Sequence, residues 1–543
     1  MRFSTISANS LAILFISLAS IATAPGQTAK AKLNPNEPLE KYNMPPAYIY
    51  RLGRSPRMIS PYGVFISYQV NVDAQGNNIL GDAANEPSIA VDPTNGNKMT
   101  IGWRQFNSVQ SDFRQGGWGY TTDAGVTWTF PGVLENNVFR SDPVLDSDDT
   151  GNFSYLSLRE TFYDDIWRSI NGGASWTRLT FGDVSGGDKQ WFTIDRTNGT
   201  GHGFQYQLWS TSGNNFGGRQ FSRSTDNGAT WMSPIFLPNS PVWGTLDVDS
   251  NGNLFIGGAA NFTSPFWCLR SSNAQNPAIT PTFDRVTQVD LGGSLDFSDT
   301  INPGGLAGQV FLAVDRSGGP TNNNVYMVAS VQPSGFGTGT DVMFVRSTDG
   351  GLTFSAPHRI NDDPINHNKW HWFGTLAVAP NGRIDSVWLD SRNAANNTDS
   401  QLFYSFSTDG GVTWAPNVAV SAAFTPFEGY PVQNKIGDYI TIVSDNTGGN
   451  VAYPATFNFN PSSSQHEQDV YFVRVSPTGG PTPTPTPTAT ATPTATATAT
   501  ATPTATATAS STPSATPTIT PRPTPTPRSA PTVRPRPTPR PRP

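Results

Sequence analysis

The stretch Ser407-Thr408-Asp409-Gly410-Gly411-Val412-Thr413-Trp414 reads as a tight turn joining two strands. Asp409 can accept backbone N–H bonds inside the turn, Gly410 and Gly411 can take positive φ, and Thr413-Trp414 restarts an extended segment with a large ring to bury. The same grammar, Ser/Thr-x-Asp/Asn-x-Gly-x-Thr/Ser-aromatic, returns as Thr121 to Trp128, Ser169 to Trp176, Ser224 to Trp231 and Ser347 to Phe354. Arg270-Ser271-Ser272-Asn273-Ala274, after the aromatic segment Phe266-Trp267-Cys268-Leu269, reads as a degenerate further copy filling a double-length gap.

A second repeat runs in step with the first. Before each turn lies an apolar segment closed by an acidic or Gly-rich turn: Ile89-Ala90-Val91-Asp92, Val144-Leu145-Asp146, Phe192-Thr193-Ile194-Asp195 and Leu246-Asp247-Val248-Asp249. The series continues with Leu312-Ala313-Val314-Asp315, Leu376-Ala377-Val378-Ala379 and Ile440-Thr441-Ile442-Val443. Helical periodicity is almost absent, so the chain is all-β and built of repeated units.

The octapeptide resembles the Asp box, or BNR repeat, of the sialidase-like β-propellers, where it marks the turn between the third and fourth strands of a blade and carries no catalysis. The resemblance implies a β-propeller of four-stranded antiparallel blades over 63–476. The second repeat favours seven blades, with the six of typical sialidases as the alternative. The last unit has Val451 to Phe459 and Asp469 to Val475 but no fourth strand, while Val64 to Val72 is a strand without a blade. Pairing the two closes the ring and removes its open edges.

The ends have a different character. Arg2, the apolar run Leu11 to Ile21 and Ala22-Thr23-Ala24 form a secretory signal peptide, taken as 1–26 with cutting after Gly26 as an alternative to Ala24. A secreted or cell-surface protein with no membrane span is expected, with 27–62 as an N-terminal extension. From 477 to 543 the composition collapses to Thr, Pro, Ala and Ser, the signature of a disordered spacer, tipped by Arg522, Arg528, Arg534, Arg536, Arg540 and Arg542. That basic tip is a solvated tail or a contact to an anionic cell envelope. The chain as a whole carries a net charge of −6, and the arginines of the basic tip are not interleaved with aromatics, so nucleic acid is a poor partner. The single cysteine, Cys268, rules out an internal disulfide, and a monomer is expected.

Strand direction in a four-stranded blade puts the Asp-box turns and the acidic turns on one face. There they are turn chemistry. Asp146-Ser147-Asp148-Asp149-Thr150-Gly151 lacks the glutamate of an EF-hand, with Ser157 in its place, and leaves room only for a weak surface calcium site; no other cofactor or metal is indicated. The opposite face collects the entries into first strands, among them Asn85-Glu86, Arg140-Ser141-Asp142, Asp188-Lys189-Gln190-Trp191, Lys369-Trp370-His371-Trp372 and Lys435-Ile436-Gly437-Asp438. It also collects the exits from second strands at Trp103-Arg104, Arg159-Glu160 and Trp388-Leu389-Asp390-Ser391-Arg392. Charges and indoles from separate blades thus surround one mouth.

Sialidases hold a sugar carboxylate with three arginines and use a tyrosine-glutamate pair as nucleophile and an aspartate as acid/base. The resemblance therefore makes Asp142, Asp188, Glu428 and Tyr430 the catalytic candidates. Arg104, Arg159, Arg392, Glu86, Trp191, His371 and Asp390 are the substrate-binding candidates. The family's early Arg-Ile-Pro pattern is missing, Tyr50-Arg51-Leu52-Gly53 being the nearest string. Each arginine also has an acid close by in sequence, Glu86, Glu160 or Asp390, with which an ordinary ion pair would form. Two readings follow: a glycoside-cleaving propeller acting on acidic sugars, or a non-catalytic propeller that binds a glycan or a cell-surface protein.

Overall fold

Seven antiparallel sheets form the blades of the computed structural model, which describes residues 39–42, 44–45, 53–180, 182–298 and 300–477, and two two-stranded pairs lie outside them, Arg54–Ser55 with Asn78–Ile79 and Phe459–Asn460 with Gln465–His466. The signal peptide and the Thr/Pro-rich tail expected from sequence lie outside the described residues. Blade one is the regular case, with strands Ala83–Val91, Met99–Phe106, Arg114–Thr121 and Thr129–Val133 hydrogen-bonded in that order. Blades two, four and six repeat it, with first strands at Arg140–Ser147, Leu246–Val248 and His371–Val378.

The remaining blades depart from the pattern. Blade three has three strands, Trp191–Ile194, Gln205–Leu208 and Phe221–Ser224, and replaces the fourth with one bridge between Phe221 and Ile235. Blade five, from Phe311–Val314 through Val325–Pro333 and Asp341–Ser347 to His358–Arg359, gains a short strand at Gly293–Ser294. Blade seven takes Thr441–Asp445, Gly448–Ala455 and Asp469–Val475 from the end of the chain and Phe65–Gln69 from its beginning. An additional outer strand, Ile59–Tyr62, extends that sheet to five.

The repeated octapeptides each close a turn by a closely similar set of hydrogen bonds, with Asn171 donating to Ser175 Oγ where the other copies have an aspartate accepting a threonine hydroxyl. In Ser407 to Trp414, Asp409 Oδ1 accepts the N–H groups of Val412 (2.9 Å) and Thr413 (3.0 Å), and Oδ2 accepts the Thr413 hydroxyl at 2.6 Å. Gly411 N–H donates to Ser407 Oγ at 2.9 Å. Gly411 has φ +80°, and a Cβ there would come 2.3 Å from Cε1 of Phe344 on the preceding blade. The glycine therefore serves both the turn and the seam between blades. Trp414 then meets Phe344 edge to face at 5.1 Å. The degenerate copy works the same way over a longer loop, with Thr282 donating to Asn273 Oδ1 at 2.9 Å.

The core lies in layers between neighbouring blades. One layer joins Ala90 and Trp118 of blade one to Leu145, Phe153, Tyr155 and Trp167 of blade two. Hydroxyls fasten the inner strands across the seams: Leu145 N–H donates to Ser88 Oγ (2.9 Å), Leu312 N–H to Thr245 Oγ1 (2.7 Å), and Ile89 N–H to Thr441 Oγ1 (3.0 Å), the last bridging blades seven and one. Cys268 is a free, buried core residue, its thiol pushed up to about 12 by burial.

Candidate functional site

At the head of the first strand, five blades place a non-glycine residue at positive φ: Glu86 (56°), Asp142 (46°), Lys189 (55°), Trp243 (52°) and Phe373 (56°). Gly308 and Gly437 take positive φ at the heads of the other two. At Glu86, Asp142 and Phe373 the register of the first strand slips, so these are bulges that re-aim a side chain. Trp243 and Phe373 pack into the core, whereas Glu86, Asp142 and Lys189, on three consecutive blades, supply charge to one buried cluster.

Four cations and several carboxylates make up that cluster. Lys435 Nζ lies 2.8 Å from Asp438 Oδ2, and Lys189 Nζ lies 3.0 Å from the same oxygen. Arg114 pairs with Asp112 at 3.0 Å, and its Nε donates to Ser141 Oγ at 3.2 Å. Ser141 Oγ in turn donates to Asp142 Oδ1 at 2.8 Å. Arg104 Nε is 3.0 Å from Glu86 Oε2, but its hydrogen is directed at Asn85 Oδ1, 2.9 Å away. Both Glu86 carboxyl oxygens are thus buried without a hydrogen-bond partner among the described residues.

The carboxyls are driven apart in acidity. Burial, reinforced by the charge of Asp142 and opposed by Arg104 and Lys435, pushes Glu86 up to about 8, so it keeps its proton at neutral pH. Burial acts the same way on Asp142, but Lys189 and Lys435 outweigh it and hold this group below the ordinary carboxylate range. Asp438 is likewise held low, by Lys189 and Lys435 against burial. Asp112, farther out, is raised to about 6 by burial. One protonated carboxyl therefore stands among ionised ones, the division of labour that acid–base chemistry uses.

A cavity of about 870 Å³ opens beside the cluster, lined by Lys189, Lys435, Asp438 and Asp112, by the loop Pro303-Gly304-Gly305-Leu306, and by Leu39, Glu40 and Lys41. Beneath it the ring axis is closed by Trp191, which meets Phe311 at 5.3 Å and Tyr439 at 5.2 Å, both edge to face.

No protein-family model matches the chain, and no curated protein matches it. Solved structures similar to it include a protein of unknown function from Dyadobacter fermentans, at 14% identity and TM-score 0.41, over 75% of this chain and 97% of that one. An α-L-arabinofuranosidase of Fusarium graminearum is similar at 11% identity and TM-score 0.37, covering 78% and 98%. A Streptococcus pneumoniae sialidase is similar at 11% identity and TM-score 0.38, covering 75% and 70%. Carbohydrate-active propellers are thus among its structural neighbours, and their activities set no residue's role here.

Of the residues singled out from sequence, the cluster unites Glu86, Arg104, Asp142 and Asp188, the last accepting Glu40 N–H at 2.9 Å. Arg159 and Arg392 are not among its partners. Arg159 is the last residue of its strand and binds Asp165 (3.3 Å) and Asp183 rather than Glu160. Arg392 lies beyond its strand and binds Asp390 (2.8 Å) and Asp362 (2.6 Å) at the seam of blades five and six. The triad Arg104, Arg159 and Arg392 is therefore not one pocket, because side chains at the outer exits of second strands reach the rim.

His371 belongs to that same seam. Its Nε2 is 3.0 Å from Asp363 and 3.7 Å from Asp390, while Nδ1 faces Thr340 O at 2.6 Å. Trp191 is the floor of the axis. Glu428 accepts His466 N–H at 2.8 Å, and the Tyr430 hydroxyl has no partner among the described residues, so no hydrogen bond couples the two. The acidic loop after Val144 is internally occupied: Asp146 pairs with Arg196, Asp148 with Arg168 and Asp149 with His202. No group of three His, Cys, Asp or Glu that could hold a metal ion occurs among the described residues.

Arg114 and Glu40 went unflagged in the sequence. Arg114 opens a third strand, and the only signal was its position on the mouth face. Glu40 sits in a stretch with no periodicity at all.

Proposed function

We propose that this is an exported, carbohydrate-active propeller whose mouth takes the carboxylate of an acidic saccharide between Arg104, Arg114, Lys189 and Lys435 and cleaves the glycosidic bond, with Glu86 as proton donor. Asp142, ionised and held by Ser141 and by the backbone N–H of Lys189 (3.2 Å), supplies the opposing negative charge for an oxocarbenium-like transition state. The observation that carries this reading is the juxtaposition of a buried, proton-holding Glu86 with a buried cationic set in one mouth.

The absence of Arg159, Arg392 and a hydrogen-bonded Glu428–Tyr430 pair from the mouth favours a second reading, in which the same site recognises an acidic glycan without cleaving it. Turnover of fluorogenic sialosides and glucuronides, measured beside saturable binding of the free acids, separates the two. With hydrolysis, Glu86→Gln lowers kcat by about a hundredfold or more with little change in KM. Saturable binding with no turnover by the wild-type protein carries the second reading, and neither binding nor turnover overturns both.

A further inference from the structure

The carboxylate at the centre of the cationic set does not come from the ring. It belongs to Glu40, on the segment that precedes the first described strand. Lys435 Nζ lies 2.8 Å and Arg104 Nη1 3.3 Å from Glu40 Oε1, Lys189 Nζ is 3.8 Å from the same atom, Arg114 pairs with Oε2, and Ser141 Oγ lies 3.2 Å from Oε2. All four cations of the mouth are thus turned toward a single carboxylate that the chain supplies to itself.

Residues 39–42 pair with no strand, and among the described residues their contacts beyond Glu40 include Arg114 donating to Lys41 O at 3.2 Å and Tyr42 meeting Phe139 edge to face at 5.3 Å. Leu39, Glu40 and Lys41 also form one wall of the 870 Å³ cavity, so a ligand entering it meets the segment before it meets Glu86. Removing Glu40 would take away the one carboxylate that lies against all four buried cations, a place that an incoming carboxylate fills and a neutral sugar does not.

We propose that segment 39–42 is a displaceable occupant of the mouth, in which Glu40 holds the place of a ligand carboxylate and keeps the cavity sealed from Glu86 until an acidic saccharide expels it. This rests on the reading of the mouth as an acidic-saccharide site. A ligand that must first expel the segment binds more weakly by the fraction of molecules with the mouth open, so a mouth open one time in a hundred lowers apparent affinity about a hundredfold. Tethering makes the competition intramolecular and independent of protein concentration.

The test uses the full chain and two probes, D-glucuronate and N-acetylneuraminate. Calorimetric titration of Glu40→Gln should show at least about tenfold tighter binding of one probe than the wild type does. In the wild type, saturating probe should speed amide exchange of residues 39–42 while leaving the inner strands unchanged. Should Glu40→Gln fail to fold, wild-type exchange decides alone, and a segment whose exchange no probe accelerates overturns the proposal. Wild-type glycoside turnover with no affinity gain in Glu40→Gln and a static segment overturns the gate while leaving the enzyme reading intact. Affinity gain and displacement without turnover support the gate and leave only recognition. Binding of neither probe to either protein overturns both.

Discussion

Replacing Glu86 with Gln keeps the shape of the side chain and removes its titration, which makes the buried acid testable through stability alone. Glu86 has a folded pKa of about 8 against an ordinary value of 4.5. A group raised in this way contributes stability that is fully present below 4.5 and is lost as pH rises through 8, because the unfolded chain releases the proton first. Over that window the wild type should lose about 1.4 kcal/mol per pH unit relative to Glu86→Gln, a total of several kcal/mol. Urea unfolding of both proteins at half-unit steps from pH 4.5 to 9 reads this as a difference that falls across the window and flattens above it. Infrared difference spectra between the two proteins should carry a carboxylic-acid carbonyl band that disappears near pH 8. Parallel stability curves, or no such band at pH 6, would refute the argument that burial outweighs Arg104 at 3.0 Å.

Two further outcomes follow from groups outside the mouth. Asp409→Ala removes three hydrogen bonds to Val412 and Thr413 and should cost about 1–2 kcal/mol near neutral pH. Since hydrogen bonds from the Thr413 side chain and backbone, opposed by burial, lower Asp409 from 3.8 to about 2, the gap should be whole above pH 3.8 and close as pH falls through 2, as acid unfolding will show. Burial opposes a charge on His371, but Asp390 and Asp363 outweigh it and raise its pKa above 6.5, with Asp341 also facing the ring. The stability difference between wild type and His371→Gln should therefore be greatest below pH 6.5 and shrink as pH climbs through the raised value, measured by urea midpoints at pH 5 and 9.

The ring was legible because its repeats are local. Each inner strand read from sequence, from Ile89 to Asp92 through Ile440 to Val443, overlaps a first strand of a blade to within one residue of its end, and Val64 to Val72 contains the strand that closes the last one. The outer strand Ile59–Tyr62 and the reduced fourth strand of blade three were not legible, since edge strands exposed on one side carry weak alternation. The membership of the buried cluster was legible by half. Entries into first strands pointed to Glu86, Asp142, Asp188, Lys189, Lys435 and Asp438, because the innermost strand is the one that faces the axis. Exits from second strands misled: Arg104, two residues before the end of Met99–Phe106, turns inward, whereas Arg159 and Arg392 stand at or past the ends of theirs. Glu40 was beyond reach, as a segment without periodicity reveals its partner only in three dimensions.

What ties the scaffold to the chemistry is backbone strain at the strand heads. A non-glycine residue at φ near +50° carries a cost of order 1 kcal/mol or more, and here five blades hold one at the head of the first strand. Glu86 and Asp142 each precede a proline, which further restricts the preceding backbone. Blade seven meets this geometry with Gly437 at φ +111°, and a Cβ there would lie 2.9 Å from the backbone N and Cα of Glu86. The seam of blades seven and one thus presses directly on Glu86. Relaxing Glu86 into an extended conformation would swing its carboxyl away from Arg104 and break the packing against Gly437 together. The fold holds this acid in place by the same seam that closes the ring, so loosening the closure and freeing Glu86 are one event.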